Sequence, residues 1–304
     1  MQLAHVEGFL EVARQGSVSR AAAGLFVSQP ALTVRLQQLE AELGEQLFVR
    51  TRRGVQLTDA GRAFLPYAER AMASLQGGRE LLAEMRSGGA GELTLGAAPA
   101  VSTYVLPSIL VRFTERFPRV RLVVRTGHSE EVVEMVARGE VQVGVGRRIR
   151  HQHVEARPIY EDELVLVAEP GHPFAEAGRV SLERLSEARL ILFDRTSSYY
   201  DLTNAIFREA GVAPRGVMEL DNIEAAKKMV EQGLGVALLP NTAVAAEIAR
   251  RSLRPVAVDG APPVHRPIVA MRPRDAGPAG PAVAGFLDLL AETPRLIAGA
   301  APPA

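Results

Sequence analysis

The stretch that most restricts the fold is residues 17–44, which holds two helix starts separated by a connection too short for anything but a tight corner. Ser17 is a favourable N-cap for a short helix through Ala21, Ala22 and Leu25, and Phe26 and Val27 leave room only for a turn. Ser28 then caps a third helix running from Gln29 to about Leu43, with Leu32, Leu36 and Leu39 on one face and Gly44 stopping it. Upstream, Leu3, Val6, Leu10 and Ala13 recur at helical spacing and give a first helix that ends at Gly16. Downstream, Leu47, Phe48 and Val49, then Val55, Gln56 and Leu57, form two short strands around the basic turn Arg52-Arg53-Gly54. Three helices and a basic hairpin over residues 1–58 describe a winged helix-turn-helix.

From Thr58 a long helix should continue to about Arg86. Leu65, Ala68, Met72, Leu75, Leu82 and Met85 step along it close to a heptad, interrupted by Arg79, which predicts a helix paired with another chain. Residues 59–88 are therefore assigned as a linker and dimerisation helix, and the Gly-rich residues 87–91 punctuate its end. The remainder alternates. Strands are predicted at 93–96, 120–124, 141–145, 164–168, 190–193, 236–239 and 268–271, and helices at 106–117, 129–138, 203–210, 223–232 and 243–250. This order implies α/β architecture with parallel or mixed sheets flanked by helices, and its length suits two small lobes with a ligand cleft between them. Lobe one is assigned to residues 92–160 and 268–304, lobe two to 161–267.

Charge sharpens the reading of the N-terminal part. The formal net charge is zero, yet between Arg14 and Arg53 lie Arg14, Arg20, Arg35, Arg50, Arg52 and Arg53 against only Glu40, Glu42 and Glu45. No apolar run reaches the about 18 residues of a membrane span, and residues 1–10, with His5 and Glu7, lack a basic stretch followed by an apolar core. A cytoplasmic protein with no membrane partner is expected. The chain has no cysteine, which removes disulfides, thiolate nucleophiles and Cys-based metal sites.

The run Ser28-Gln29-Pro30-Ala31-Leu32-Thr33-Val34-Arg35-Leu36-Gln37-Gln38-Leu39-Glu40 resembles the LysR-type transcriptional regulators. So do Gly16-Ser17-Val18-Ser19-Arg20-Ala21-Ala22 before it and Leu43-Gly44-Glu45-Gln46-Leu47-Phe48-Val49-Arg50-Thr51 after it. The likeness continues through Glu161-Asp162-Glu163-Leu164-Val165 and Gly171-His172-Pro173 to Gly233-Leu234-Gly235-Val236-Ala237-Leu238-Leu239-Pro240, and so covers essentially the whole chain. The resemblance implies a homodimer through the long helix that assembles to a homotetramer. It implies promoter DNA carrying an imperfect inverted repeat, RNA polymerase as a further candidate partner, and a small-molecule effector held between two lobes resembling a periplasmic binding protein. Relatives often carry Gln at the position of Arg35 and hydroxyls at Ala98 and Ala100, where this chain departs from them.

Candidate DNA contacts are Ser19, Arg20, Ser28, Gln29, Pro30, Thr33 and Arg35. The first turns of a recognition helix enter the major groove, where Gln pairs with adenine and Arg with guanine. Ser28 is first an N-cap, a duty compatible with phosphate contact. Arg50, Arg52 and Arg53 suit phosphate contact from the wing, the alternative being a solvated basic turn. Candidate effector contacts come from three loops and a helix start, because hydroxyls and helix N-terminal amides hold small anions such as carboxylates. They are Ser102 and Thr103; then Thr126, His128 and Ser129, with Ser129 also the expected cap of the next helix and His128 either a ligand contact or an exposed loop residue. Thr196, Ser197, Ser198 and Tyr199 form the third loop, and Asn222 is either a cap or a cleft residue.

No cofactor is expected: Gly233-Leu234-Gly235 lacks the rest of a nucleotide fingerprint, and His151-Gln152-His153 shows no third metal ligand. No catalytic constellation emerges, so an enzyme is disfavoured. A solute-binding protein would explain the two lobes but leave the Arg-rich helices without a purpose.

Overall fold

The computed structural model describes residues 1–51, 54–87, 91–193, 197–209 and 211–293. Helix α1 (Leu3–Gln15) ends at Gly16, which takes the left-handed conformation (φ 61°). The Ser17 hydroxyl accepts from the Arg20 amide to open α2 (Val18–Gly24), and the Ser28 hydroxyl accepts from the Ala31 amide to open α3 (Gln29–Leu43). Strands β1 (Phe48–Thr51) and β2 (Gly54–Leu57) pair antiparallel to form the wing. Leu32, Leu36 and Leu39 of α3 are buried against Val6, Phe9 and Val12 of α1 and against Leu47, closing one small apolar core.

Helix α4 (Asp59–Ser87) carries the apolar seam read from the sequence, but that seam divides. Leu65, Ala68 and Met72 pack into the N-terminal core, whereas Leu75 (49% exposed) and Leu82 (58%) face outward. The expectation that Leu65, Ala68 and Met72 belong to a continuous interchain stripe is corrected here. The first turns of α4 run beside α1 and the wing, and their apolar groups serve the chain's own core before any partner.

Lobe one starts with β3 (Gly91–Ala97), α5 (Pro99–Tyr104), α6 (Leu106–Arg116), β4 (Val120–Thr126), α7 (Ser129–Ala137) and β5 (Val143–Arg147). β3 pairs in parallel with β4 on one side and β5 on the other, the outcome expected of crossover helices. The long strand β6 (Val154–Ala168) then leaves lobe one and enters lobe two. There follow α8 (Pro173–Ala177), β7 (Arg179–Ser181), α9 (Leu182–Glu187), β8 (Leu190–Phe193), α10 (Ser198–Glu209), β9 (Gly216–Leu220), α11 (Ile223–Glu231), β10 (Ala237–Pro240), α12 (Asn241–Arg250) and β11 (Arg254–Asp259). Strand β12 (Val264–Pro273) returns antiparallel to β6, and α13 (Pro281–Ala291) packs Phe286, Leu289 and Leu290 into the core of lobe one.

The main sheet therefore runs β4-β3-β5-β12-β6-β11-β7, with β10 also on β6, and β8 and β9 form a separate parallel pair. Two continuous strands cross between the lobes, and the junctions expected at 160/161 and 267/268 fall inside them. At the crossing Arg266 of β12 stands opposite Asp162 of β6, and the register shifts between Ile268 and Val269. The first half of β6, with Glu155, Arg157 and Glu161 interleaved, carries too little apolar alternation to read as a strand. The short α5, α8 and α9 and the short β7 are set by tertiary packing rather than by local periodicity.

Candidate functional site

The N-terminal end of α3 presents Gln29 and Pro30 to solvent beside Ser28. Ser19 on α2 donates to the Gln29 side-chain oxygen at 2.9 Å, and the Thr33 hydroxyl donates to the Gln29 carbonyl at 2.9 Å. The first bond holds the Gln29 side chain by its oxygen, and the second ties Thr33 to the backbone one turn earlier. The Arg20 guanidinium donates to the Gln15 carbonyl, so this base is held close to its own helix pair. Arg35 lies half-buried one turn further along α3, and Arg50 is exposed on β1. The structure thus gathers Ser19, Arg20, Ser28, Gln29, Pro30 and Thr33 on one surface with Arg35 close behind. Arg52 and Arg53 lie outside the described residues.

A cavity of about 130 Å³ lies between the lobes. Thr103 and Tyr104 of α5, His128 and Ser129 at the start of α7, Phe193, Ser197 and Tyr199 of lobe two, and Asp221 to Glu224 before and in α11 all reach it. Of the sequence candidates, Thr103, His128, Ser129, Ser197, Tyr199 and Asn222 come together there. Ser102 and Thr126 instead meet each other, hydroxyl to hydroxyl at 3.2 Å, and do not line the cavity. Ser198 begins α10, and Thr196 lies outside the described residues. Two capping roles differ in outcome. Asn222 caps α11, its side-chain oxygen accepting from the Ala225 amide at 3.0 Å. Ser129 is not the cap of α7: the chain turns at His128, whose amide donates to Glu131, and the buried Ser129 hydroxyl accepts from the Arg147 amide at 3.1 Å.

At the floor of the cavity sits Arg266, only 4% exposed. One terminal nitrogen donates to the Tyr199 hydroxyl, the guanidinium carbon lies 4.4 Å from the Tyr199 ring centre, and Nε has no hydrogen-bond partner. Asp162, opposite on β6, is engaged by the Thr242 amide (3.3 Å) and hydroxyl (2.7 Å), and burial pushes its carboxyl above the usual range. Burial also pushes the Tyr199 phenol up to about 12, against the pull of the Arg266 charge. Among the described residues no carboxylate lies within ion-pair distance of Arg266. Asp162 therefore compensates the buried guanidinium only from across the strand pair and not by contact.

Residues 3–62 match the bacterial regulatory helix-turn-helix protein, lysR family, and residues 86–295 match the LysR substrate binding domain. The chain belongs to the LysR family of transcriptional regulators. A probable RuBisCO transcriptional regulator of Cyanidioschyzon merolae is 31% identical over 258 residues, covering 83% of this chain and 85% of that relative. A crystal structure of full-length CbnR complexed with its target DNA is similar at a TM-score of 0.65 and 26% identity, covering 96% of this chain and 100% of that one. A full-length OxyR variant from Pseudomonas aeruginosa shares the fold at a TM-score of 0.73 and 24% identity, over 97% of this chain and 95% of its own.

This LysR protein is accordingly a DNA-binding transcriptional regulator with an effector-binding domain, and its relatives are regulators rather than enzymes. No helix among the described residues is long and apolar enough to cross a membrane, and no group of three or more metal-ligating side chains forms among them. Sequence reasoning missed Tyr104, Glu130, Asp221 and Glu224 of the cavity lining and, most consequentially, Arg266. Its signal was present: Val264, Arg266 and Ile268 alternate with exposed residues, which puts a charge where the strand pattern calls for an apolar group. With that strand begun only at Ile268, Arg266 read as loop.

Proposed function

We propose that this LysR-type regulator binds an imperfect inverted repeat in promoter DNA and that a small carboxylate in the interlobe cleft modulates the binding. Residues 1–58 carry the DNA contacts, with Gln29 and Arg35 on base edges, and Ser19, Arg20, Ser28, Pro30, Thr33, Arg50, Arg52 and Arg53 positioning the helix or touching phosphate. Residues 59–88 pair two chains into a homodimer that assembles to a tetramer, and RNA polymerase is the further protein partner in the cytoplasm. The effector lies between lobe one (92–160 and 268–304) and lobe two (161–267). The observation that carries the anionic reading is Arg266, buried in the cavity with an unpartnered Nε and, among the described residues, no carboxylate in ion-pair contact, Asp162 acting on it only from across the strand pair. A ligand held there touches both lobes and changes DNA binding only by preferring one lobe arrangement over the other.

The test is fluorescence anisotropy of a promoter fragment from upstream of the gene, titrated with protein at several salt concentrations, with and without a panel of organic acids. Salt-dependent, sequence-selective binding that one carboxylate shifts in wild type and not in Arg266→Gln is expected. Binding that no salt concentration weakens, or an effector response unchanged in Arg266→Gln, would overturn this reading.

A further inference from the structure

The charges around the cleft identify what the far end of the effector carries. Among the described residues, three carboxylates line the cavity, Glu130, Asp221 and Glu224, with the guanidinium of Arg266 and the imidazole of His128. Two of the three are engaged. Glu130 pairs with Arg147 on β5. Glu224 receives the Lys227 ammonium at 2.8 Å and the Tyr104 hydroxyl at 2.6 Å, and Lys227 is itself held by Glu247 at 3.1 Å. That leaves two groups facing the cavity with no contact ion pair among the described residues, Arg266 feeling Asp162 only from across the strand pair. Arg266 is buried on the crossing strand, and Asp221 sits on the exposed lip of lobe two just before α11.

Resting on the carboxylate reading above, we infer that the cleft selects a small monocarboxylate with hydrogen-bond donors at its far end, an ammonium or hydroxyls, and rejects dicarboxylates. Arg266 takes the carboxylate, because a guanidinium offers a fork of donors and no acceptor. Asp221 takes the far end, because an ionised carboxylate accepts and cannot donate. A second carboxylate at that end would meet Asp221 and Glu224 at short range in a partly desolvated site, where like charges repel far more strongly than in water. An apolar end would leave Asp221 losing water without gaining a partner. Glu130 and Glu224 do not compete for the donor end, since each already holds a cation of the chain.

The experiment is titration calorimetry on the full chain with four probes of one length: butyrate, γ-hydroxybutyrate, γ-aminobutyrate and succinate. They share one carboxylate and differ at the other end. The hydroxyl and ammonium probes are expected to bind about fivefold or more tighter than butyrate, the scale of one added hydrogen bond, with succinate weakest. Asp221→Asn, a change at an exposed position, is expected to erase the preference for ammonium over hydroxyl and to strengthen succinate binding. Succinate binding tightest to wild type, lost in Arg266→Gln, would overturn the donor-end inference and leave the carboxylate site standing. No heat from any probe, or equal heats from wild type and Arg266→Gln, would overturn the carboxylate site itself. An Asp221→Asn profile identical to wild type would remove Asp221 from the site and the inference with it.

Discussion

At the scale of single residues, Phe26 shows the most unusual conformation in the DNA-binding part. It occupies the turn between α2 and α3 with φ 55° and 96% of its surface exposed. A bulky side chain in the left-handed region costs roughly 1–2 kcal/mol, and here no burial compensates. Asn tolerates that conformation, so Phe26→Asn should raise the melting temperature of the full chain by a few degrees in scanning calorimetry. A lower melting temperature would show that the ring stabilises the turn in a way its exposure does not suggest. Arg35 and Arg50 should separate by role. Arg35→Ala is expected to lose about 1–3 kcal/mol of preference for the operator over a scrambled fragment, as for a lost base contact. Arg50→Ala should weaken both fragments alike and flatten the salt dependence by about one ion. Anisotropy on the two fragments across a salt series distinguishes them, and equal effects from both arginines would refute the division.

At the scale of elements, α4 does two jobs along one helix. Its first half completes the N-terminal core through Leu65, Ala68 and Met72, and its second half leaves Leu75 and Leu82 outward. Leu75→Asp combined with Leu82→Asp should therefore abolish dimers in light scattering while the melting transition of the DNA-binding part persists. Met72→Asp should instead lower that transition, because a carboxylate would enter an apolar cluster. Unchanged mass after the double substitution would move the dimer contact elsewhere. The heptad was legible in the sequence, but not its division, since periodicity reports a stripe and not which neighbour covers it.

At the scale of the whole molecule, the lobes meet through more than the two crossing strands. Tyr104 of α5 reaches Glu224 of α11, the Lys227 ammonium lies 5.0 Å from the Tyr104 ring centre, and Ala100 packs among residues of lobe two. Burial pushes the Glu224 carboxyl up, but the hydrogen bonds from Lys227 and Tyr104 outweigh it and hold the group below its ordinary 4.5. A depressed carboxyl contributes stability that is present above its unfolded value and lost as pH falls through its folded one. Lobe contact should thus be insensitive to pH down to about 4.5 and loosen below it, read as faster amide exchange in α5 and α11. Tyr104→Phe removes one of the bonds that lower the carboxyl, so the folded value moves back toward the unfolded one and the change between neutral and acid pH should be smaller. A pH-dependent change of wild-type size in Tyr104→Phe would show that this bond does not govern the contact. The linker also touches lobe one, where Glu69 of α4 lies 3.6 Å from Arg138, giving the effector domain a direct contact with the helix that carries the DNA-binding part.

The sequence by itself determined the N-terminal module, because caps, stops and helical spacing act within a few residues: Gly16 ends α1, Ser17 opens α2, and Ser28 and Gly44 bound α3. It also determined much of the alternation of strand and helix, and it pointed to Thr103, His128, Ser129, Ser197 and Tyr199, which reach the cavity, although Thr103 and Tyr199, read as loop, stand in α5 and α10. Only the tertiary structure decided which of those hydroxyls face the cavity, with Ser102 and Thr126 turned to each other instead. It alone decided that Arg266 would stand buried at the crossing of β6 and β12. That placement depends on register between strands about a hundred positions apart in sequence, and a charge is costly or useful only through what surrounds it after folding.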